Sequence, residues 1–317
     1  MNRTAKQYDT FTLFSNMTYA QFRGHLFDIH VAFTRYHKGF YYMWMRYVIA
    51  PRIQKRKTPI ESGETHPNLS MHILCRHGSV TRFLWAMASF YSVSKTVGSL
   101  TIHNDGTLRE DELALIKRLL PSARVVRKED FIDAATKAFA PYPQVLAFFN
   151  TPMWQARKLL HPYLSATRPY MLQLESDVLW FRDPEFINDA LRSGFSKTYA
   201  MPNNDESTIS FQDGTVLPPH LAELNSGFML YKKDDLNLSR LEEYLTRTGI
   251  IKHHFIEQAG YAYAFGDFQK LPEDLYTIKG TNEKDAIMRH YTGPVRGKYF
   301  IRGIPFLIKN HIVRVRD

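Results

Sequence analysis

"MLQLESDVLWFRDPEF", residues 171–186, sets two acids, Glu175 and Asp177, one residue apart between two apolar runs. The overlapping stretch "YMLQL" (170–174) reads as a β-strand apolar enough to enter the centre of a sheet. Glu175 and Asp177 then emerge at its carboxyl end. Residues i and i+2 of an extended chain point the same way, so both carboxylates can converge on one point. Two like charges held close repel unless something cationic lies between them. A hard divalent cation with oxygen ligands suits such a pair. The plain alternative is a loop or helix cap that happens to contain two acids.

The surrounding chain alternates strand and helix. "MHILC" (71–75) reads as a short buried strand, and "SVTRFLWAMASFYSVSK" (79–95) as a helix with Ser79 or Thr81 as its N-cap. "GSLTIHNDG" (98–106) is a second strand ending in a turn. "REDELALIKRLLP" (109–121) is a helix stopped by Pro121, and "ARVVRKED" (123–130) a third strand. This alternation predicts a parallel α/β sheet, in which ligands bind beyond the carboxyl ends of the strands. The loops after Cys75 and Ile102 are therefore candidate ligand loops. Neither Gly-x-Gly-x-x-Gly nor Gly-x-x-x-x-Gly-Lys occurs.

Composition bounds the rest. The chain has 317 residues, 44% apolar and 14% aromatic, with a formal charge of +10. The charge is uneven: residues 1–67 hold ten Lys or Arg against four Asp or Glu, hence +6 of the +10. The same segment contains thirteen aromatics. Two domains are expected, a helical, basic, aromatic-rich extension over 1–67 and an α/β domain over 68–317. Phe22, Leu26, Phe33, Phe40, Trp44 and Val48 recur at near-helical spacing. One reading packs these helices on the main domain through Phe22, Phe33, Phe40 and Trp44; the other makes them an interfacial element. "KRKTPIESGETHPN" (55–68) reads as a linker. Cys75 is the only cysteine, which excludes an intramolecular disulfide and a cysteine-based metal site. No apolar leader region is seen, and the longest apolar run is about half of the roughly twenty residues a span needs. A cytoplasmic location is expected, with peripheral contact on a membrane through residues 1–67 as its variant.

Three further stretches follow the paired acids. "ELNSGFMLY" (223–231) has a polar Asn-Ser-Gly turn leading into an apolar strand. "HHFIEQAGYAYAF" (253–265) sets Glu257 and Gln258 in an otherwise aromatic helix. "MRHYTGPVRGKYF" (288–300) combines His290 with Gly293, Arg296 and Lys298. In order and spacing these resemble the motifs of GT-A-fold nucleotide-sugar glycosyltransferases, particularly the family 8, glycogenin-like group and its bacterial relatives. The resemblance covers residues 68–317. It implies a GT-A-like mixed, mostly parallel sheet flanked by helices, with the N-terminal helical extension outside it.

The resemblance also implies roles. Glu175 and Asp177 fall on the family's Asp-x-Asp, with Glu replacing the first Asp, and His290 falls on its third metal ligand. Asn225, Ser226 and Gly227 match the stretch facing the donor sugar and acceptor, and Glu257 and Gln258 the pair beside the sugar. Arg296 or Lys298 matches the cation holding the β-phosphate. Asp105 lies where the nucleoside is contacted. The implied cofactors are a divalent metal, Mn2+ or Mg2+, and a nucleotide-sugar donor, a UDP-sugar in the first instance. The acceptor, whether glycan, lipid-linked or protein, is left open.

Such a transfer breaks a C1–O bond and leaves a diphosphate, so a metal and a cation would stabilise the growing charge. His290 must be neutral to ligate. Retention of configuration is implied, with Glu257 orienting; in an inverting enzyme Glu257 would be the base. The competing reading is a basic protein that binds nucleic acid or a membrane and carries a degenerate transferase domain. Basic residues interleaved with aromatics do not continue past residue 68, so nucleic acid is not expected.

Overall fold

The computed structural model describes residues 19–61, 65–203, 209–250, 253, 255–280 and 282–315. Among the described residues ten strands form two sheets. β1 (Thr65–Cys75), β2 (Val97–Asn104), β3 (Arg124–Val126), β4 (Tyr170–Leu174), β6 (Thr198–Pro202), β7 (Leu224–Lys232) and β8 (Phe268–Lys270) build a seven-stranded sheet in the order β3-β2-β1-β4-β7-β6-β8. β5 (Val178–Trp180), β9 (Tyr276–Thr277) and β10 (Met288–His290) form a small sheet in the order β5-β10-β9. In the large sheet β7 runs antiparallel to β4 and β6, and every other pair is parallel. β4 is the middle strand, where its run of buried residues belongs.

The sheet divides two apolar clusters, and strand alternation assigns residues to them. Leu172, Leu174, Phe228 and Leu230 join Phe83, Trp85, Phe90 and Trp180. Met171, Met229 and Tyr231 join Leu159, Leu160, Tyr244 and Tyr261. The helix Val80–Val93 packs into the first cluster, and the helices Trp154–Ser165, Leu238–Thr248 and Ile256–Phe265 pack into the second.

β1 is longer than the sequence suggested. It begins at Thr65, within the stretch read as a linker, because Thr65 pairs with Val97 ahead of a register shift before Ser70. Its first four residues are not buried, and polar strand residues of that kind carry no apolar signal. The Asn-Ser-Gly segment is likewise strand and not turn. Asn225 pairs with Met201 across an irregularity in the β6–β7 register, and the buried polar side chains serve the site described below.

The N-terminal helices contribute to the same core. Ala32, Tyr42, Met45, Ala50 and Ile53 are buried in it, and Trp85 Nε1 donates to the Ala50 carbonyl at 2.9 Å. Tyr42 meets Phe300 edge-on at 5.7 Å. The helix Tyr19–Thr34 crosses the helix Gly39–Trp44 so closely that a Cβ on Gly39 would stand 2.2 Å from the Phe33 ring. The faces are not those the periodicity singled out. Phe33, Phe40 and Trp44 are exposed, while Tyr42 and Met45 turn inward. The side chain of Phe22 lies outside the described residues. Periodicity shows that a helix has an apolar side, but two aromatic faces on one helix look alike in sequence.

Candidate active site

The end of β4 and the end of β10 meet across the gap between the two sheets. The backbone closes it: Tyr291 N–H donates to the Asp177 carbonyl at 2.9 Å. His290 is thereby placed over both acids. His290 Nε2 lies 2.8 Å from Glu175 Oε2 and 3.2 Å from Asp177 Oδ1. One ligand atom from each of Glu175, Asp177 and His290 lies within 4.8 Å of the other two.

Asn225 fixes the histidine. Its Oδ1 stands 2.9 Å from His290 Nδ1 and also accepts the Gly227 N–H at 2.8 Å. With Nδ1–H donating to that oxygen, Nε2 faces the carboxylates. A histidine oriented through its other nitrogen in this way is arranged as metal ligands are. Gly227 explains why the ring fits. A Cβ there would lie 2.4 Å from His290 Nδ1 and 2.8 Å from Asn225 Oδ1. Gly227→Ala is therefore expected to push the imidazole aside and weaken Mn2+ binding at least about tenfold, the scale of losses when a ligand's support is removed. Titration of the purified variant with Mn2+ checks this, and unchanged affinity would show that the ring gives way freely.

Lys158 was not singled out in the sequence, yet it sits at the centre of the site. It projects from the helix Trp154–Ser165 with only 2% of its side chain exposed. Its Nζ contacts Glu175 Oε1, donates to Ser226 Oγ at 2.7 Å and pairs with Glu257 Oε1 at 3.1 Å. Ser226 Oγ in turn donates to Glu257 Oε1 at 3.1 Å, and Ser226 N–H to Gln258 Oε1 at 3.3 Å. A signal existed: in "WQARKLLH" the lysine falls among Ala156, Leu159 and Leu160, all buried. A buried ammonium needs a carboxylate partner.

Arg82 was missed as well. It stands in the first turn of the helix after β1, near enough to Asp177 to stabilise the carboxylate's charged form. Arg296 is one of its close charged neighbours. The two cations left open by the sequence part company here. Arg296 belongs to the group around Arg82, whereas Lys298 Nζ lies 5.9 Å from the Tyr36 ring centroid, among Arg289, Arg302 and Arg35. Asp105 directly follows β2, and its carboxylate accepts from Thr107 N–H at 3.0 Å and Thr107 Oγ1 at 2.6 Å.

Electrostatics follow from this crowding. Burial alone would lower the His290 pKa, but Asp177 and Glu175 outweigh it and raise the pKa to about 9. Burial would raise the Glu175 carboxyl, yet Lys158 and His290 hold it well below its ordinary range. Asp177 is lowered too, burial again being overcome by His290. Lys158 is raised, because Glu175 and Glu257 outweigh its desolvation. Two carboxylates and an imidazole nitrogen form a donor set suited to a divalent ion such as Mn2+.

No family model matches the sequence, and no curated protein matches it. Among solved structures, the galactosyltransferase LgtC, in complex with donor and acceptor sugar analogues, superposes with a TM-score of 0.50 at 14% identity, over 77% of this chain and 96% of that one. The chain has a GT-A-type fold. Mouse xyloside xylosyltransferase 1, in its apo form, matches at 13% identity and a TM-score of 0.47, over 72% of this chain and 97% of that chain. In this GT-A-type sheet the clustered acids occupy the carboxyl end of the middle strand.

Proposed function

We propose that the protein is a metal-dependent glycosyltransferase that moves a sugar from a nucleotide-sugar donor to an acceptor, with retention of configuration. The observation that carries this reading is the Glu175–Asp177–His290 cluster at the carboxyl end of β4 in a GT-A-type sheet. Glu175, Asp177 and His290 would hold the ion, which when bound would supply positive charge to the departing diphosphate. Arg82 adds fixed cationic charge beside Asp177, its neighbour Arg296 adds to it, and both would favour the same anion. Asn225 keeps His290 in one tautomer. Lys158 holds Ser226 and Glu257 in place, so Glu257 is bound into an ion pair and orients groups around it. A UDP-sugar is the first donor to test.

The test is a panel of nucleotide sugars offered to the purified chain with and without Mn2+. One donor is expected to be hydrolysed slowly or to raise the melting temperature, with EDTA removing the effect. No metal-dependent response to any nucleotide sugar would overturn the reading.

The proton on His290 gives a second expectation. A histidine raised to about 9 in the folded state contributes stability that is full below the ordinary pKa of about 6.5 and lost as pH rises through about 9. A ligating His290 must lose that proton, so metal and proton compete. Apparent Mn2+ affinity should rise about tenfold per pH unit up to about 9 and then level off. Calorimetry at neutral pH in two buffers of different ionisation enthalpy should show release of about one proton per ion. Binding independent of pH between 6 and 9, the range below the raised pKa in which the proton must be displaced, would remove His290 from the ligand set.

A further inference from the structure

The N-terminal helices leave one face uncovered. Of the nine large hydrophobics exposed among the described residues, seven lie between residues 26 and 48; Ile132 and Val216 are the others. Phe40, Trp44 and Val48 are spaced four apart, so they line one side of their helical segment. Phe40 is 78% exposed and Trp44 52%. The Phe33 and Phe40 rings meet edge-on at 5.2 Å, which joins this stripe to the preceding helix and its exposed Phe27. Side chains of this size are rarely left in water in such concentration without a partner.

The partner's chemistry is indicated by what adjoins the stripe. Just past Phe33, Tyr36 lies against Lys298 at the edge of a cavity of about 720 Å3. Lys279, Lys298, Arg302 and Lys309 line that cavity. Its one acid, Glu283, is already engaged by Arg289 at 3.1 Å and Tyr291 Oη at 3.2 Å. Exposed Arg35 and Lys38 stand between the two helices, and Arg35 is close enough to Lys298 to repel it. Burial and this crowd of guanidinium groups lower the Lys298 pKa, a cost that a bound anion would relieve. Apolar aromatics beside clustered lysine and arginine match the two layers of an anionic membrane surface, acyl boundary and charged headgroup.

We propose that the exposed face of residues 26–48, together with the basic cavity beside Lys298, is a membrane-docking surface for anionic lipid. The aromatic stripe enters the headgroup level and the cavity receives a lipid phosphate. The helices lie on the membrane: among the described residues no helix is long and apolar enough to cross one. The inference does not rest on the transferase reading, since none of the docking residues holds the Glu175–Asp177–His290 cluster.

Cosedimentation of the full chain with vesicles tests it, using phosphatidylcholine alone or mixed with phosphatidylglycerol. Binding is expected to the mixed vesicles, to weaken sharply at high salt, and to be slight on phosphatidylcholine. Arg302→Gln with Lys309→Gln should weaken it about fivefold per residue, about 25-fold together. Phe40→Ser with Trp44→Ser should cost at least about tenfold through lost apolar insertion. All four positions are solvent-exposed, so folding is preserved, and unaltered melting curves confirm that. Metal-dependent donor hydrolysis, read in parallel, separates failure here from failure of the transferase reading. Absence of binding to anionic vesicles would overturn the proposal. So would a concentration-dependent dimer that Phe40→Ser with Trp44→Ser abolishes while vesicles are ignored, which would assign the stripe to a second copy of the chain.

Discussion

Asp177→Asn should abolish sugar transfer, by at least about a thousandfold, while the protein stays folded. The substitution keeps the side chain's volume and removes the charge that faces His290 and Arg82. A metal contributes several kcal/mol of charge stabilisation to the leaving group, and each 1.36 kcal/mol is tenfold in rate. The Mn2+-induced rise in melting temperature should vanish with it. Glu175→Gln should behave differently, because Glu175 also neutralises buried Lys158. It is expected to lose stability as well as activity. The measurements are donor hydrolysis and thermal unfolding, with and without Mn2+. Full activity in Asp177→Asn would refute the metal role.

Lys158→Met should be the most destabilising single change in the site. It leaves Glu175 and Glu257 inside the protein without their shared ammonium, and breaking a buried ion pair from one side costs about 3–5 kcal/mol. In the parent, the lowered Glu175 carboxyl contributes stability that is present above the ordinary pKa of about 4.3 and lost as pH falls through the folded value. The variant reverses the sign. Without Lys158, burial favours the protonated acid, so the deficit should shrink as pH falls from 8 towards 5. Glu257→Gln added to Lys158→Met should recover part of the loss, since one of the two stranded charges is then gone. Urea denaturation at both pH values measures each step. A variant within about 1 kcal/mol of the parent at pH 8 would mean that water reaches the two acids and that the lysine is not the element that holds them.

Several features were legible in sequence because they are local. The apolar run 170–174 marked a central strand, and spacing of two set Glu175 and Asp177 on one side of its end. Strand–helix alternation marked the parallel half of the sheet. The order of the later motifs drew in Asn225, Ser226, Glu257, Gln258 and His290, and all of them meet near the end of β4 or stand one hydrogen bond away.

What spacing could not supply was the set of partners brought in by long-range packing. Lys158 is 17 residues from Glu175 and 99 from Glu257, and a lysine is read as solvated until its helix is known to face the core. Arg82 and Arg296 come from two helices whose meeting depends on where the small sheet docks. The choice between Arg296 and Lys298 turns on their direction, since residues two apart on a helical turn point to different sides. The first residues of β1 pair by backbone alone, so no side-chain pattern announces them. The aromatic stripe at Phe40 and Trp44 shows the same limit from the outside. The sequence determined that these helices have apolar faces; only tertiary packing decided that Tyr42 and Met45 would be covered and Phe40 and Trp44 would not, because burial is a property of what lies opposite a residue.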